Sequence, residues 1–143
     1  MTSEATRSPH SQGTEPASKR DLWIGRALSG LAAAFLLFDG GMKVVAPPVV
    51  VKSTVELGYP EASILGIGLA LLVSTVLYLV PRTAVLGAIL LTGYLGGAVA
   101  THVRVGDGAF KVLFPVLFGI FVWGGLALRV PRVRRAVLGE PRG

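Results

Sequence analysis

The 143-residue chain contains no cysteine and only two histidines. From its own residues it cannot supply a disulfide, a thiolate nucleophile, a Cys-ligated zinc site or an iron–sulfur cluster. His10 sits in a polar tail, far along the chain from His102, so neither a bis-His haem nor a metal site is expected within one chain. Charge is scarce as well. Only 15% of residues are Asp, Glu, Lys or Arg, against about a quarter in soluble domains. The apolar share is 52% and the mean hydropathy +0.65. Long apolar runs almost free of charge, with basic residues crowded at the ends, exclude a water-soluble globule. No strand alternation of comparable length occurs, which excludes a β-barrel. The composition is that of a helical membrane protein.

Residues 1–20 are rich in Ser, Thr, Pro and charge and are expected to be a disordered polar tail. They make a poor secretory leader, because Glu4 and Glu15 precede an apolar stretch that Asp39 and Lys43 interrupt. Residues 21–130 then hold four apolar segments at about 22–45, 62–80, 83–103 and 109–128. Each is near the ~20 residues needed to cross ~30 Å of hydrocarbon. Pro47-Pro48 stops the first, Gly58-Tyr59-Pro60 precedes the second, Pro81-Arg82-Thr83 turns into the third and Gly106-Asp107-Gly108 into the fourth. A basic tail, 131–143, follows Val130.

Short connections after the second and third segments predict antiparallel neighbours, hence an all-α, polytopic, up-down-up-down four-helix bundle. The net charge of +6 and the pI of about 10.3 fit bilayer topology better than nucleic acid. The side carrying both termini and the 81–83 turn collects ten basic residues against four acidic ones, whereas the other side balances four against four. The positive-inside rule then predicts both termini in the cytoplasm of an inner-membrane protein. Trp23, Tyr78 and Trp123 are expected at the inner interface and Tyr59 and Phe110 at the outer, as an aromatic belt. Small residues recur on every segment. Gly93, Gly97 and Thr101, four apart, predict that the third is the most enclosed helix.

Asp39 and Lys43 share one helix face and can pair. With His102, Arg104 and Lys111 they gather in one outer layer, while Tyr94 lies ~12 Å deeper than His102 along its helix. Two readings fit. In one, these residues snorkel and pair at the interface, Asp39 with Lys43 or Arg104. In the other, Asp39, Lys43, Tyr94, Thr101, His102 and Arg104 form an outward-opening polar pocket above an apolar cavity.

The run from Tyr78 to Gly106, YLVPRTAVLGAILLTGYLGGAVATHVRVG, resembles the DoxX-like family of small bacterial membrane proteins. Trp23-Ile-Gly-Arg26 with Ser29-Gly30, the Asp39–Lys43 pair and Leu57-Gly-Tyr-Pro60 are similar to it too, so that the resemblance covers about residues 22–135. It implies a four-helix bundle with signature positions Arg26, Lys43, Pro81, Arg82, Gly96, Gly97, Thr101, His102 and Arg104, and no agreed catalytic set. The family's namesake is linked with membrane subunits of a thiosulfate:quinone oxidoreductase. The resemblance thus implies an accessory or anchor subunit that binds a quinone-like or other small amphiphile and docks a redox enzyme subunit or a second copy. On that reading His102 and Tyr94 hydrogen-bond a carbonyl headgroup and Asp39 tunes the imidazole. The alternatives are a small transporter or permeability protein with the polar cluster as its vestibule, and a purely structural membrane subunit.

Overall fold

The computed structural model describes residues 18–139. Six α-helices occur there: α1 (Lys19–Val45), α2 (Pro48–Glu56), α3 (Ile64–Leu79, after a 3-10 turn at Glu61–Ser63), α4 (Ala84–Arg104), α5 (Ala109–Arg129) and α6 (Pro131–Leu138). Helices α1, α3 (with its preceding turn), α4 and α5 are long and apolar enough to span a bilayer. The protein is a multi-pass membrane protein.

Local chemistry sets the boundaries. Ser18 caps α1 by accepting from the Arg20 N–H, with Asp21 in the first turn and Lys43 in the last, each suited to the helix dipole. The polar tail expected over 1–20 thus gives up its last residues to this helix, and residues 1–17 lie outside those described. Ala46 closes α1 in a left-handed conformation, φ 49°, immediately before Pro47. Pro47-Pro48 does more than stop α1. Pro48 occupies the first position of α2, where its missing N–H is no loss. The expected basic tail likewise contains a helix, because Pro131 opens α6 and Gly139, φ 68°, ends it.

Packing runs in the ring order α1–α3–α4–α5, and the diagonal pairs scarcely meet. The half of the bundle where α1 begins and α5 ends, called here the terminal end, is solid. Tyr78, Leu91, Val122 and Leu126 fill it, all fully buried. The Tyr78 hydroxyl donates to the Val122 carbonyl at 2.9 Å and accepts from Ser29 Oγ at 2.7 Å, which stitches α3 to α5 and α1. Tyr78 is therefore no member of the aromatic belt expected from the sequence. Trp123 departs from it as well: its Nε1 donates to Thr92 Oγ1 at 2.8 Å, well inside the span of α4. Trp23, 71% exposed at the start of α1, does stand out from the bundle.

Lipid gives helices no hydrophobic reason to associate, so close backbone approach has to hold them. Three glycine contacts supply it. Gly25 and Gly125 bring α1 against α5, and a Cβ on Gly125 would overlap Ser29 Oγ. Gly40 and Gly68 bring α1 against α3, where a Cβ on Gly68 would lie 2.8 Å from Lys43 Cβ. Gly87 lets the α3–α4 turn close, since a Cβ there would run into the backbone of Tyr78. The glycines of α4 behave otherwise. A Cβ on Gly93, Gly96 or Gly97 would meet nothing within 4 Å, and α4 is no more buried than α3. The helix expected to be the most enclosed therefore only shares that rank with α3, because its glycine stripe faces open space, Gly93 and Gly97 standing on the wall of a cavity.

Candidate functional site

The cavity, roughly 600 Å3, occupies the half of the bundle opposite the terminal end, called here the α2 end. That is within the size range of small-molecule sites. Its space arises from sequence: Gly66, Gly93, Gly97 and Ala98 leave the facing walls of α3 and α4 without bulk. Phe35 of α1 and Phe114 and Phe118 of α5 supply an aromatic surface. Phe35 stacks on Phe118 at 4.3 Å between centroids and meets Phe114 edge-on at 5.4 Å. Val50, Ser53 and Thr54 of α2, with Leu57 just beyond its end, close part of the cavity from the stretch between the first two expected spans.

Polar groups are few and mostly committed. Lys43 Nζ donates to both Asp39 oxygens at 2.6 Å, so the two form a tight i,i+4 ion pair on the wall. Thr101 Oγ1 donates to the Gly97 carbonyl at 2.8 Å and accepts from the Tyr59 hydroxyl at 2.7 Å. Tyr59 therefore turns inward, away from the belt position expected of it, and closes the linker onto α4. Ser53 and Thr54 spend their hydroxyl protons on the Val50 carbonyl.

His102 lies at the rim. Its Nδ1 is 2.7 Å from Asp107 Oδ2, and Lys111 Nζ donates to the other oxygen of the same carboxylate at 2.8 Å. An ionised carboxylate only accepts, so Nδ1 carries the proton and Nε2 is left without a partner among the described residues. Lys111 first, then His102, hold the Asp107 carboxyl below its ordinary value of 3.8 by hydrogen bonding to the charged form. The partner that orients the imidazole is therefore Asp107 and not Asp39. Asp107 stands four positions before Lys111 and five after His102, a spacing by which the sequence itself signals this network.

Of the six site residues expected from sequence, Asp39, Lys43, Tyr94, Thr101 and His102 all line this cavity, contributed by α1 and α4. Arg104 does not. Its Nη2 donates to the Leu57 carbonyl at 2.6 Å and its guanidinium lies against Gly58, so it fastens the end of α2 from outside. Gly58 takes φ 86°, and a Cβ there would stand 3.0 Å from that guanidinium. Tyr94 stands about halfway along α4, and its hydroxyl has no hydrogen-bond partner among the described residues. No group of three or more His, Asp or Glu suited to a metal occurs among them.

Four bilayer-length helices carrying a ligand-sized, sparsely polar, half-open cavity define a small polytopic membrane protein with a pocket in its bundle. The family model described as the DoxX-like family matches residues 27–125, and the chain belongs to that family. No curated protein and no solved structure matches it.

Proposed function

We propose that this protein is a membrane accessory or anchor subunit whose cavity binds a small amphiphile with a quinone-like headgroup. The observation that carries the proposal is the pair of uncommitted polar atoms on an otherwise apolar or self-satisfied wall. The Tyr94 hydroxyl is a free donor at depth, and His102 Nε2, the ring nitrogen left open by Asp107, is unpartnered at the rim. Such a wall suits a molecule with a carbonyl or hydroxyl head and an apolar body, the body resting on Phe35, Phe114 and Phe118. A quinone meets that description, and when bound it would supply electron-accepting chemistry that no cysteine of this chain can provide. The link to a redox system rests on the family resemblance, and the amphiphile rests on the cavity. The solid packing of Tyr78, Leu91, Val122 and Leu126 below the cavity favours binding over a transport path.

Orientation belongs to the same proposal. The charge balance of +6 against 0 supports N-in, C-in insertion in the inner membrane, with the cavity toward the outer face. The reading is tested by titrating the detergent-solubilised protein with a short-chain quinone in a calorimeter. Saturable binding is expected, weakened roughly three- to tenfold in Tyr94→Phe, the worth of one neutral hydrogen bond. His102→Ala should weaken it comparably. Binding that ignores both substitutions, or none at all, refutes the proposal.

A further inference from the structure

The terminal end of the bundle carries a second arrangement, unconnected with the cavity. Among the described residues, the buried side-chain polar atoms without a hydrogen-bond partner are Nε and Nη2 of Arg129 and Nε of Arg134. Nε–H and Nη2–H of one guanidinium lie side by side along a single edge. They form the parallel fork that grips two oxygens of one phosphate or carboxylate. The stem behind the fork is packed, and the fork itself is covered, so that a phosphate enters only as the covering side chains part. The Arg129 stem passes over Gly25 of α1, where an added Cβ would sit 3.0 Å from Cγ, and its guanidinium carbon lies 5.1 Å from the centre of the Tyr78 ring.

The surroundings are cationic. Val130 leaves the helical conformation, φ −123°, so α6 departs from the axis of α5. Val130 and Val133 pack against the core, Arg134 is half-buried, and Arg132 and Arg135 face outward. No carboxylate of the described residues pairs with any of these arginines. The depth is that of lipid headgroups: Arg129 ends a membrane-spanning helix, and exposed Trp23 starts one at the same end. A buried cationic fork without a partner calls for an anion, and at this depth the abundant anion is a lipid phosphate. Arg129 and Arg134 both fall beyond the family segment 27–125.

We propose that the α5–α6 junction is a binding site for the phosphate of an anionic phospholipid, with Arg129 as its bidentate clamp and Arg134 as a second donor. The test is the melting temperature and native mass spectrum of the full chain in mild detergent, with phosphatidylglycerol or phosphatidylcholine added. Phosphatidylglycerol should raise the melting temperature and stay bound in the gas phase, whereas phosphatidylcholine should do neither. Arg129→Lys keeps the charge and the packed stem while removing the fork, and should weaken phosphatidylglycerol binding about tenfold. Arg134→Gln should weaken it too, whereas the outward-facing Arg135→Gln, with the same loss of charge, should leave most of it. Equal stabilisation by phosphatidylcholine, or an Arg135→Gln loss as large as that of Arg129→Lys, would overturn the proposal. So would stabilisation by inorganic phosphate at the same concentration, which would make the site one for free anions.

Discussion

Removing the hydroxyl of Tyr78 should unlock the solid half of the bundle while leaving its shape intact. Tyr78 has one proton and gives it to the Val122 carbonyl, so the hydroxyl of Ser29 has to donate to Tyr78. Tyr78→Phe deletes both interhelical bonds and strands a fully buried Ser29 donor. Interhelical hydrogen bonds in bilayers are worth about 0.6 kcal/mol each on average and up to about 1.7, so the loss should be about 1–3 kcal/mol. Ser29→Ala deletes one bond and leaves Tyr78 satisfied by Val122, for about 1 kcal/mol. In the double variant no stranded donor remains. Its cost should therefore fall short of the sum of the two singles, by about 1 kcal/mol. Reversible unfolding in mixed micelles, followed by helical circular dichroism, measures all four corners of the cycle. A Tyr78→Phe loss below about 0.3 kcal/mol, or strict additivity, would refute the claim that this hydroxyl bridges three helices.

Two further outcomes are expected. Ala46→Gly should stabilise the protein by about 0.5–1 kcal/mol in the same assay, because Ala46 caps α1 at φ 49° where glycine carries no Cβ penalty. A loss of stability there would show that the α1–α2 corner has other requirements. Asp107, with its folded pKa held below 3.8, contributes stability that is complete above that value and disappears as pH falls through the lower folded one. Asp107→Asn should therefore flatten the acid limb of a melting-temperature profile while lowering its plateau, and identical acid limbs would contradict the assigned network.

Much of this architecture was legible in the sequence because hydropathy is a sum over many residues. The four spans expected at 22–45, 62–80, 83–103 and 109–128 agree with the long helices to within a few residues. What was not legible depended on single side chains and on chemistry with two meanings. Pro47-Pro48 ends one helix and begins another, and the pair of prolines reads equally as a simple stop. Pro131 has the same two meanings at α6, where four arginines surround the Val130 and Val133 that pack against the core. Glycine is ambiguous too. Gly25, Gly40, Gly68, Gly87 and Gly125 bring backbones together, whereas Gly93 and Gly97 leave space, and spacing alone does not separate the two uses. Tyrosine divides similarly: Tyr59 and Tyr78, both placed at interfaces by their position along the chain, turn inward because each hydroxyl finds a buried threonine or serine.

The site shows the same division between helix geometry and tertiary closure. Asp39 with Lys43, and Tyr94 with Thr101 and His102, could be grouped from helical rise and spacing alone. The aromatic surface of Phe35, Phe114 and Phe118 could not, since it joins two helices distant in sequence. Arg104, charged and at the right height, looked equivalent to its neighbours. The length of its side chain carries the guanidinium outward to the Leu57 carbonyl, a partner that only the folded linker provides.

The central claim, an amphiphile pocket among four spanning helices, is tested most directly by photolabelling. The protein, reconstituted in vesicles, would be irradiated with a photoreactive short-chain quinone and its labelled peptides sequenced by mass spectrometry. Adducts concentrated on the cavity-facing residues of α1, α4 and α5, around Phe35, Tyr94 and Phe114, and suppressed by excess unlabelled quinone, are the predicted result. Labelling spread along the lipid-facing residues Leu31, Leu69, Ile89 and Ile120, insensitive to competitor, would contradict it.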